Sequence, residues 1–575
     1  MEIKENMSQE LMTLLRPLWH QLYGDKELPL LVDFVNELDR YKQQLAGSSL
    51  PQEWYKDVVV YSLYVDLFNE DFRGLEDKLP YLKELGVSCL WLLPILDSPM
   101  RDAGFDIRDY RRIRNDLLPE EEGQAAFVSF VDKAHEQGLR VIFDIAINHT
   151  SETHPWFQES RKSRSNPYRD YYIWRDQPDQ YLDARIIFQG IEESNWKQEG
   201  NAWFFHRFFD FQPDLNYRNP RVLLDMCRNF LFWLERRVDG FRADAIPYLW
   251  KEEGTDCENL PHTHTIVKFF RQVLDYVQPN TLLLAEACQK PHEVVKYFGS
   301  GDECHAGYHF PLMPQIFKAI ASEQAEPVMR TLSEEVTPAI PPAAQWFTFL
   351  RCHDELSLEL VYVTEEDRKY IHDAYCRQPL WNFREGQGIS ARLAELMERD
   401  PRRIGLAFSI MLSLPGTPVI YYGDEFGKLN DEAYYNEQIR EVGKDDTRFL
   451  VRGRLQWEEV EKELSNPASL TAQVYSRLKN MLRFRSEAGV FGRGNLKWLP
   501  VTTTQGVSLN QVLAYRREWA GKSIICLHNL SGKAVTMGWS TPSIEGTDAL
   551  GQEVAYDSVK KELSLPAWAY CWIND

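Results

Sequence analysis

Three acidic side chains stand at positions where they could do chemistry, each closing or following a short apolar run. Asp244 ends a run that begins at Gly240, Glu286 follows three leucines and an alanine, and Asp354 comes shortly after an apolar segment. One acid at a strand end is more often a surface or ion-paired group. Three acids in the same setting favour catalysis, because carboxylates that meet at one place can cleave a glycosidic bond, one as nucleophile and one as acid.

The neighbours of these acids fit that chemistry. Arg242 lies two residues before Asp244, on the same side of a strand, and could keep Asp244 ionised by charge pairing. Glu286 lies between two alanines, apolar surroundings that would raise its pKa as a general acid requires. His149 and His353 could donate to sugar hydroxyls, although each could also be structural. Metal-dependent hydrolysis is the competing chemistry, which the lack of an H-E-x-x-H motif disfavours.

The scaffold must bring these strand ends together. Strand-like apolar runs alternate with amphipathic helices such as 75–86 and 124–137, the pattern of a parallel α/β sheet. Open doubly wound sheets and closed barrels share this pattern, but the chain length and the acids at strand ends favour an eight-stranded barrel. Seven strands are clear, and we expect the missing one near 307–310. The seven runs are 58–65, 89–94, 139–148, 241–245, 282–287, 345–352 and 419–422.

At 575 residues the chain is too long for one core, and its pattern changes along its length. We predict a polar, helical extension before the barrel, an aromatic-rich insertion after the third strand, and a small antiparallel β-domain at the end. The predicted bounds are 1–50 for the extension, 51–148 and 217–495 for the barrel, 149–216 for the insertion and 496–575 for the C-terminal domain.

The amino-acid composition restricts the classes of binding partner and the cellular compartment that we expect. With 65 basic and 86 acidic residues the chain carries a formal charge of −21, which argues against a nucleic-acid partner. The nine cysteines show no C-x-x-C spacing, as expected of reduced thiols. We find no signal peptide and no apolar stretch of membrane-spanning length, so we expect a cytoplasmic protein without a membrane partner. A homo-oligomer is possible.

Four segments resemble, in order, the four motifs of glycoside hydrolase family 13, the α-amylase family, and a fifth motif has a counterpart at 212–216. The segments are 144–149, 240–245, 284–287 and 352–355. The resemblance implies a (β/α)8 barrel with an inserted domain B and a C-terminal antiparallel β-sandwich. It also implies roles: Asp244 as nucleophile, Glu286 as general acid/base and Asp354 as transition-state stabiliser. Arg242, His149 and His353 would position the substrate and the nucleophile.

Further segments, at 206–217, 254–261, 310–314 and 345–356, resemble the branch of this family that interconverts maltose and trehalose. In that branch an enclosed pocket keeps the released glucose, which attacks the glucosyl-enzyme through another hydroxyl. Asp102 matches a residue that binds the non-reducing end, and Phe105 stands where a stacking tyrosine is usual. The resemblance therefore implies small α-glucosides as substrates: maltose, trehalose and malto-oligosaccharides.

Two alternatives stay open from the sequence. The segment 446–457 departs from the motif that normally follows the eighth strand and helps close the pocket, so an α-glucosidase or exo-acting amylase of the same chemistry is the alternative. An inactive sugar-binding or regulatory subunit is disfavoured, because all three carboxylates are in place.

The resemblance also implies a structural calcium ion where the barrel meets the insertion. Asn148, Asp214 and the backbone carbonyl of Tyr248 match the ligands of that site, and oxygen ligands suit Ca²⁺. We expect no organic cofactor.

Overall fold

The core of the protein is a closed barrel of eight parallel strands. The structure is a computed structural model that describes residues 2–47, 49–443, 445–539, 550 and 555–575. Each strand pairs with the next in the sequence, and the eighth pairs with the first, which confirms the predicted barrel. The strand expected near 307–310 is the short sixth one. The strands are β1 (Val60–Leu63), β2 (Cys89–Leu92), β3 (Arg140–Ala146), β4 (Gly240–Asp244), β5 (Leu282–Ala285), β6 (Ala306–Tyr308), β7 (Gln345–Phe349) and β8 (Thr417–Tyr421).

The barrel strands are apolar and buried along their length, as strands covered by helices on one face and packed inside a barrel on the other must be. Helices follow the strands and cover the outside. Their bounds are Val65–Asn69, Phe72–Asp77, Leu79–Leu85, Ala125–Glu136, Pro220–Leu234, Pro261–Val277, Pro291–Val294, Leu312–Ser322, Glu326–Thr331, Glu365–Tyr375, Leu393–Leu396, Pro401–Ser413, Glu432–Val442, Trp457–Leu464 and Leu470–Ala488.

One predicted helix is divided in the structure. The stretch 75–86 belongs to two helices, Phe72–Asp77 and Leu79–Leu85, with Lys78 between them. Pro80 is the cause, because proline has no N–H to donate to the preceding turn and is tolerated only in the first turn of a helix. The second helix ends at Gly86, whose φ of 106° suits a glycine C-cap.

Gly240 allows β4 and β5 to approach closely. A Cβ atom built at Gly240 would lie 2.5 Å from Cβ of Leu282 and 2.6 Å from the carbonyl oxygen of that residue. Glycine therefore has a packing role at the start of β4, where no other residue fits without moving the neighbouring strand.

The insertion between β3 and the helix Pro220–Leu234 carries its own small sheet and a short helix. Aromatic side chains fill its core, with Tyr181, Trp196 and Phe205 buried together. Its regular elements are the helix Pro155–Ser160 and the strands Trp174–Arg175, Trp196–Glu199 and Ala202–Phe205.

Antiparallel sheets follow the barrel. Apolar side chains of both pack together, among them Ile525 from one sheet and Leu563 from the other. Residues 540–549 and 551–554 of the predicted C-terminal domain lie outside the described residues. One sheet contains Asn495–Trp498, Val512–Trp519, Lys522–Asn529 and Tyr570–Asn574, and the other contains Val535–Gly538, Ala555–Asp557 and Glu562–Leu565.

Two helices precede the barrel, Glu2–Tyr23 and Leu28–Gln44. They pack on the helix Pro261–Val277, where Trp19 and Phe34 contact Phe269 at ring-centroid distances of 6.2 and 6.4 Å. Pro17 lies inside the first helix and does not end it. No helix in the described ranges combines the length and the apolar character that a membrane crossing requires.

Candidate active site

Asp244 and Glu286 lie side by side because of the register of β4 and β5. Ala243 pairs with Ala285, so the acids that follow these alanines occupy matching positions on neighbouring strands. The backbone N–H of Glu286 donates to the carbonyl of Ala243 at 3.1 Å, which extends the ladder to this level. Neighbouring strands lie about 4.8 Å apart, so the backbones that carry the two acids are adjacent, as the paired carboxyl groups of a retaining glycosidase require.

Arg242 connects the acids at the mouth of the barrel. Its Nη1 donates to Oδ1 of Asp244 at 2.9 Å and also to Asp144, and its Nη2 lies 3.9 Å from Oε1 of Glu286. Burial raises the pKa of Asp244, and Glu286 and Asp144 add to this effect, while the ion pair with Arg242 opposes it. The predicted pairing of Arg242 with Asp244 is therefore present, but the guanidinium is shared among three acids.

Two guanidinium groups and one imidazole surround the carboxylate of Asp354. Oδ1 of Asp354 accepts hydrogen bonds from Arg448 and Arg452, both at 3.1 Å, and its Oδ2 lies 3.2 Å from Nε2 of His353. Burial favours the neutral acid, but these three neighbours outweigh it and hold the pKa of Asp354 well below its usual range. Asp354 is thus an anion whose geometry the segment after β8 determines.

The predicted substrate-binding residues reach the same pocket. Phe105 stacks on His353 with ring centroids 5.6 Å apart, and Oδ2 of Asp102 accepts from the amide of Gln212 at 2.9 Å. Burial lowers the pKa of His149 to about 4 and of His353 to about 3, so both imidazoles are neutral at pH 7. One cavity is lined by Asp102, Phe105, His149, Arg242, Asp244, Glu286, His353 and Asp354.

Sequence reasoning missed two loop residues of this cavity. Phe188 from the insertion and Arg384 from the segment after β7 line it, and the guanidinium carbon of Arg384 lies 4.5 Å from the ring centroid of Phe188. Arg384 has a φ of 43°, in the left-handed region that such a side chain rarely adopts. No periodicity marks these two loops, whereas Arg448 and Arg452 lie in the segment 446–457 that the sequence had singled out.

The residues predicted to bind calcium do not fit that ion in the way we expected. Nζ of Lys251 lies 2.7 Å from Oδ1 of Asn148 and 2.7 Å from Oδ2 of Asp214. Both predicted side-chain ligands are therefore already engaged by a cation of the chain itself. Tyr248, whose backbone carbonyl was the third predicted ligand, is one of the residues that line the cavity.

A parallel barrel with adjacent carboxylates, a buried guanidinium and a pocket lined by aromatic rings defines an enzyme that acts on glycosidic bonds. Residues 57–463 match the protein family described as the alpha-amylase catalytic domain. The chain belongs to the α-amylase family, glycoside hydrolase family 13.

Similar proteins span most of the chain. Trehalose synthase/amylase TreS of Mycobacterium tuberculosis is 42% identical over 521 residues, which cover 84% of each chain. Trehalose synthase of Pimelobacter sp. is 41% identical over 520 residues, 83% of this chain and 87% of its own. Among solved structures, an alpha-amylase from H.orenii superposes with a TM-score of 0.69 at 24% identity, over 90% of this chain and 99% of its own. At this low sequence identity, the similarity shows a shared fold.

Proposed function

We propose that this enzyme interconverts maltose and trehalose by glucosyl transfer within one enclosed pocket. The observation that carries the proposal is the adjacent position of two acids, Asp244 and Glu286, in a pocket that the insertion and the segment after β7 also line. We infer that the contact of Arg384 with Phe188 forms a cover over this pocket. The identity of 42% with a trehalose synthase/amylase, over 84% of both chains, supports the same substrates.

In the first step, a carboxylate oxygen of Asp244 attacks the anomeric carbon of the non-reducing glucose. Glu286 gives its proton to the glycosidic oxygen, so the bond to the second glucose breaks and a covalent glucosyl-enzyme ester forms. Arg242 supports this division of roles, because it donates a hydrogen bond to Asp244 at 2.9 Å, whereas its Nη2 lies 3.9 Å from Glu286. Glu286 then holds no proton and can act as a base.

In the second step, the released glucose attacks the ester through its own anomeric hydroxyl, and Glu286 takes up the proton of that hydroxyl. The ester bond to Asp244 breaks and trehalose forms with retained configuration. If water attacks in place of glucose, the same chemistry gives hydrolysis. The cover over the pocket therefore determines the product, since it decides whether glucose leaves before the second step.

Asp354 and Asp102 would hold the reacting glucose. A permanently ionised Asp354 is a strong acceptor for ring hydroxyls, and such charge-assisted hydrogen bonds strengthen as positive charge develops on the ring. Asp102 keeps a carboxylate oxygen for the non-reducing end while its other contact, to Gln212, fixes its orientation. Phe105 offers a stacking surface.

The first test is incubation with pure maltose, with the products separated over time by carbohydrate chromatography. We expect trehalose to form well ahead of glucose, because the acceptor stays beside the glucosyl-enzyme. Glucose as the sole product from the first time points would contradict the proposal and support the α-glucosidase alternative.

A second prediction concerns the cover. Phe188→Ala should raise the glucose-to-trehalose ratio severalfold while maltose consumption stays within a few-fold of the wild type. The substitution removes the ring under Arg384 but leaves the three carboxylates and Arg242 in place. The ratio is measured at low conversion, so that rebinding of free glucose does not contribute.

Phe232→Ala is the matched control. Phe232 also lies under an arginine, with the guanidinium carbon of Arg236 at 3.4 Å from its ring centroid, but it is on the outer helix Pro220–Leu234. The glucose-to-trehalose ratio of Phe232→Ala should equal that of the wild type. An unchanged ratio in Phe188→Ala would show that this contact does not retain glucose.

A further inference from the structure

A buried lysine lies at the junction of the barrel and the insertion, where the sequence had pointed to a calcium ion. We propose that the ammonium group of Lys251 replaces that metal ion, holds the insertion on the barrel and makes the folded enzyme independent of calcium.

The contacts are those of a built cation site. Nζ of Lys251 lies 2.7 Å from both Oδ1 of Asn148 and Oδ2 of Asp214. All three side chains are buried, with Lys251 3% exposed and the other two not exposed at all. The second oxygen of Asp214, Oδ1, accepts the backbone N–H of Arg207 at 2.8 Å. The carboxylate is therefore fixed in direction as well as in charge.

The three residues come from separate parts of the chain. Asn148 follows β3 where the insertion begins, Asp214 lies where the insertion returns to the barrel, and Lys251 follows β4. The carbonyl of Lys251 also accepts a hydrogen bond from Arg218 at 2.9 Å, which fixes the backbone of the lysine. One ammonium group thus joins the two ends of the insertion to the β4 loop, the connection that a bound metal ion would otherwise make.

Charge balance favours lysine over calcium in this place. Among the described residues, Asp214 is the one carboxylate within ion-pair distance of Lys251, so its single negative charge is already matched. Calcium takes six to eight oxygen ligands, usually with several carboxylates. A doubly charged ion beside a buried ammonium would add repulsion in a medium of low dielectric constant.

The decisive measurement is made on the wild-type enzyme. After purification without a chelator, its calcium content is measured by elemental analysis, and its thermal unfolding is then followed in EDTA and in calcium chloride. We expect no bound calcium and the same unfolding midpoint in both solutions. Stoichiometric calcium, or a midpoint that rises when calcium is added, would overturn the proposal.

Variants test the contribution of the ammonium group. Lys251→Met should lower the unfolding midpoint by roughly 5 °C or more, because it leaves the Asp214 carboxylate buried without a partner. Lys318→Met is the control: Nζ of Lys318 lies 2.5 Å from Oδ1 of Asp367, but this lysine side chain is 23% exposed and lies on the helix Leu312–Ser322. Its midpoint should fall by no more than about 2 °C. Equal midpoints for the two variants would contradict the proposal.

Discussion

Replacement of Asp244 by alanine should reduce turnover of maltose by at least about 10⁴-fold, as expected when a covalent nucleophile is removed. The fold should remain intact, because Arg242 keeps its second ion pair with Asp144 after the substitution. Steady-state rates on maltose and on 4-nitrophenyl α-glucoside, with thermal unfolding as a check of folding, measure both expectations.

Azide identifies the role of Asp244 directly. In Asp244→Ala the anion can enter from the side of the missing carboxylate and displace the nitrophenolate, which gives β-glucosyl azide. Asp132→Ala, on the outer helix Ala125–Glu136, is the matched control and should behave as the wild type. If Asp244→Ala keeps a near-wild-type rate on maltose, the assignment of the nucleophile is wrong.

Replacement of Glu286 by glutamine should have an effect that depends on the leaving group. Maltose, whose leaving sugar needs a proton, should lose about 10²- to 10⁴-fold in rate, the range that general acid catalysis contributes. The nitrophenyl glucoside should lose much less in the first step, because nitrophenolate departs without a proton. The ratio of the two rates, relative to the wild type, is the quantity to measure.

The stereochemistry of azide capture separates the two acids. In Glu286→Ala the glucosyl-enzyme still forms on Asp244, so azide attacks the ester and gives α-glucosyl azide, the anomer opposite to that from Asp244→Ala. Glu326→Gln, an exposed change at the start of the helix Glu326–Thr331, is the control. Equal losses on both substrates would argue against Glu286 as the general acid.

The barrel was predictable because its signals are local. Alternating apolar strands and glycine-terminated helices indicate the class of fold. An acid at the carboxyl end of a barrel strand lies at the mouth of the barrel. For this reason Asp244, Glu286 and Arg242 could be placed together from the sequence. The contact of Arg242 with Asp144 was not predicted, since the sequence does not give the register between β3 and β4.

The missed residues depend on loop conformation or on long-range packing. Arg384 reaches Phe188 through a backbone in the left-handed region, and no residue pattern announces such a turn. Lys251 was overlooked because a lysine after a strand is usually a solvated surface residue. The role of Lys251 depends on its contacts with Asn148 and Asp214, which come near it only in the folded chain.

Gly240 and the ladder between β4 and β5 have a consequence for how this enzyme could change over time. The spacing of the nucleophile and the acid is a property of the main chain, set by hydrogen bonds and by the absence of a side chain at one position. In the proposed mechanism, the choice between water and sugar as acceptor depends on loops outside these two strands. The anomeric configuration of the product and the identity of the acceptor can therefore change independently in evolution. Exchange of the loops can convert a transferase into a hydrolase, and the product keeps the α configuration in both cases.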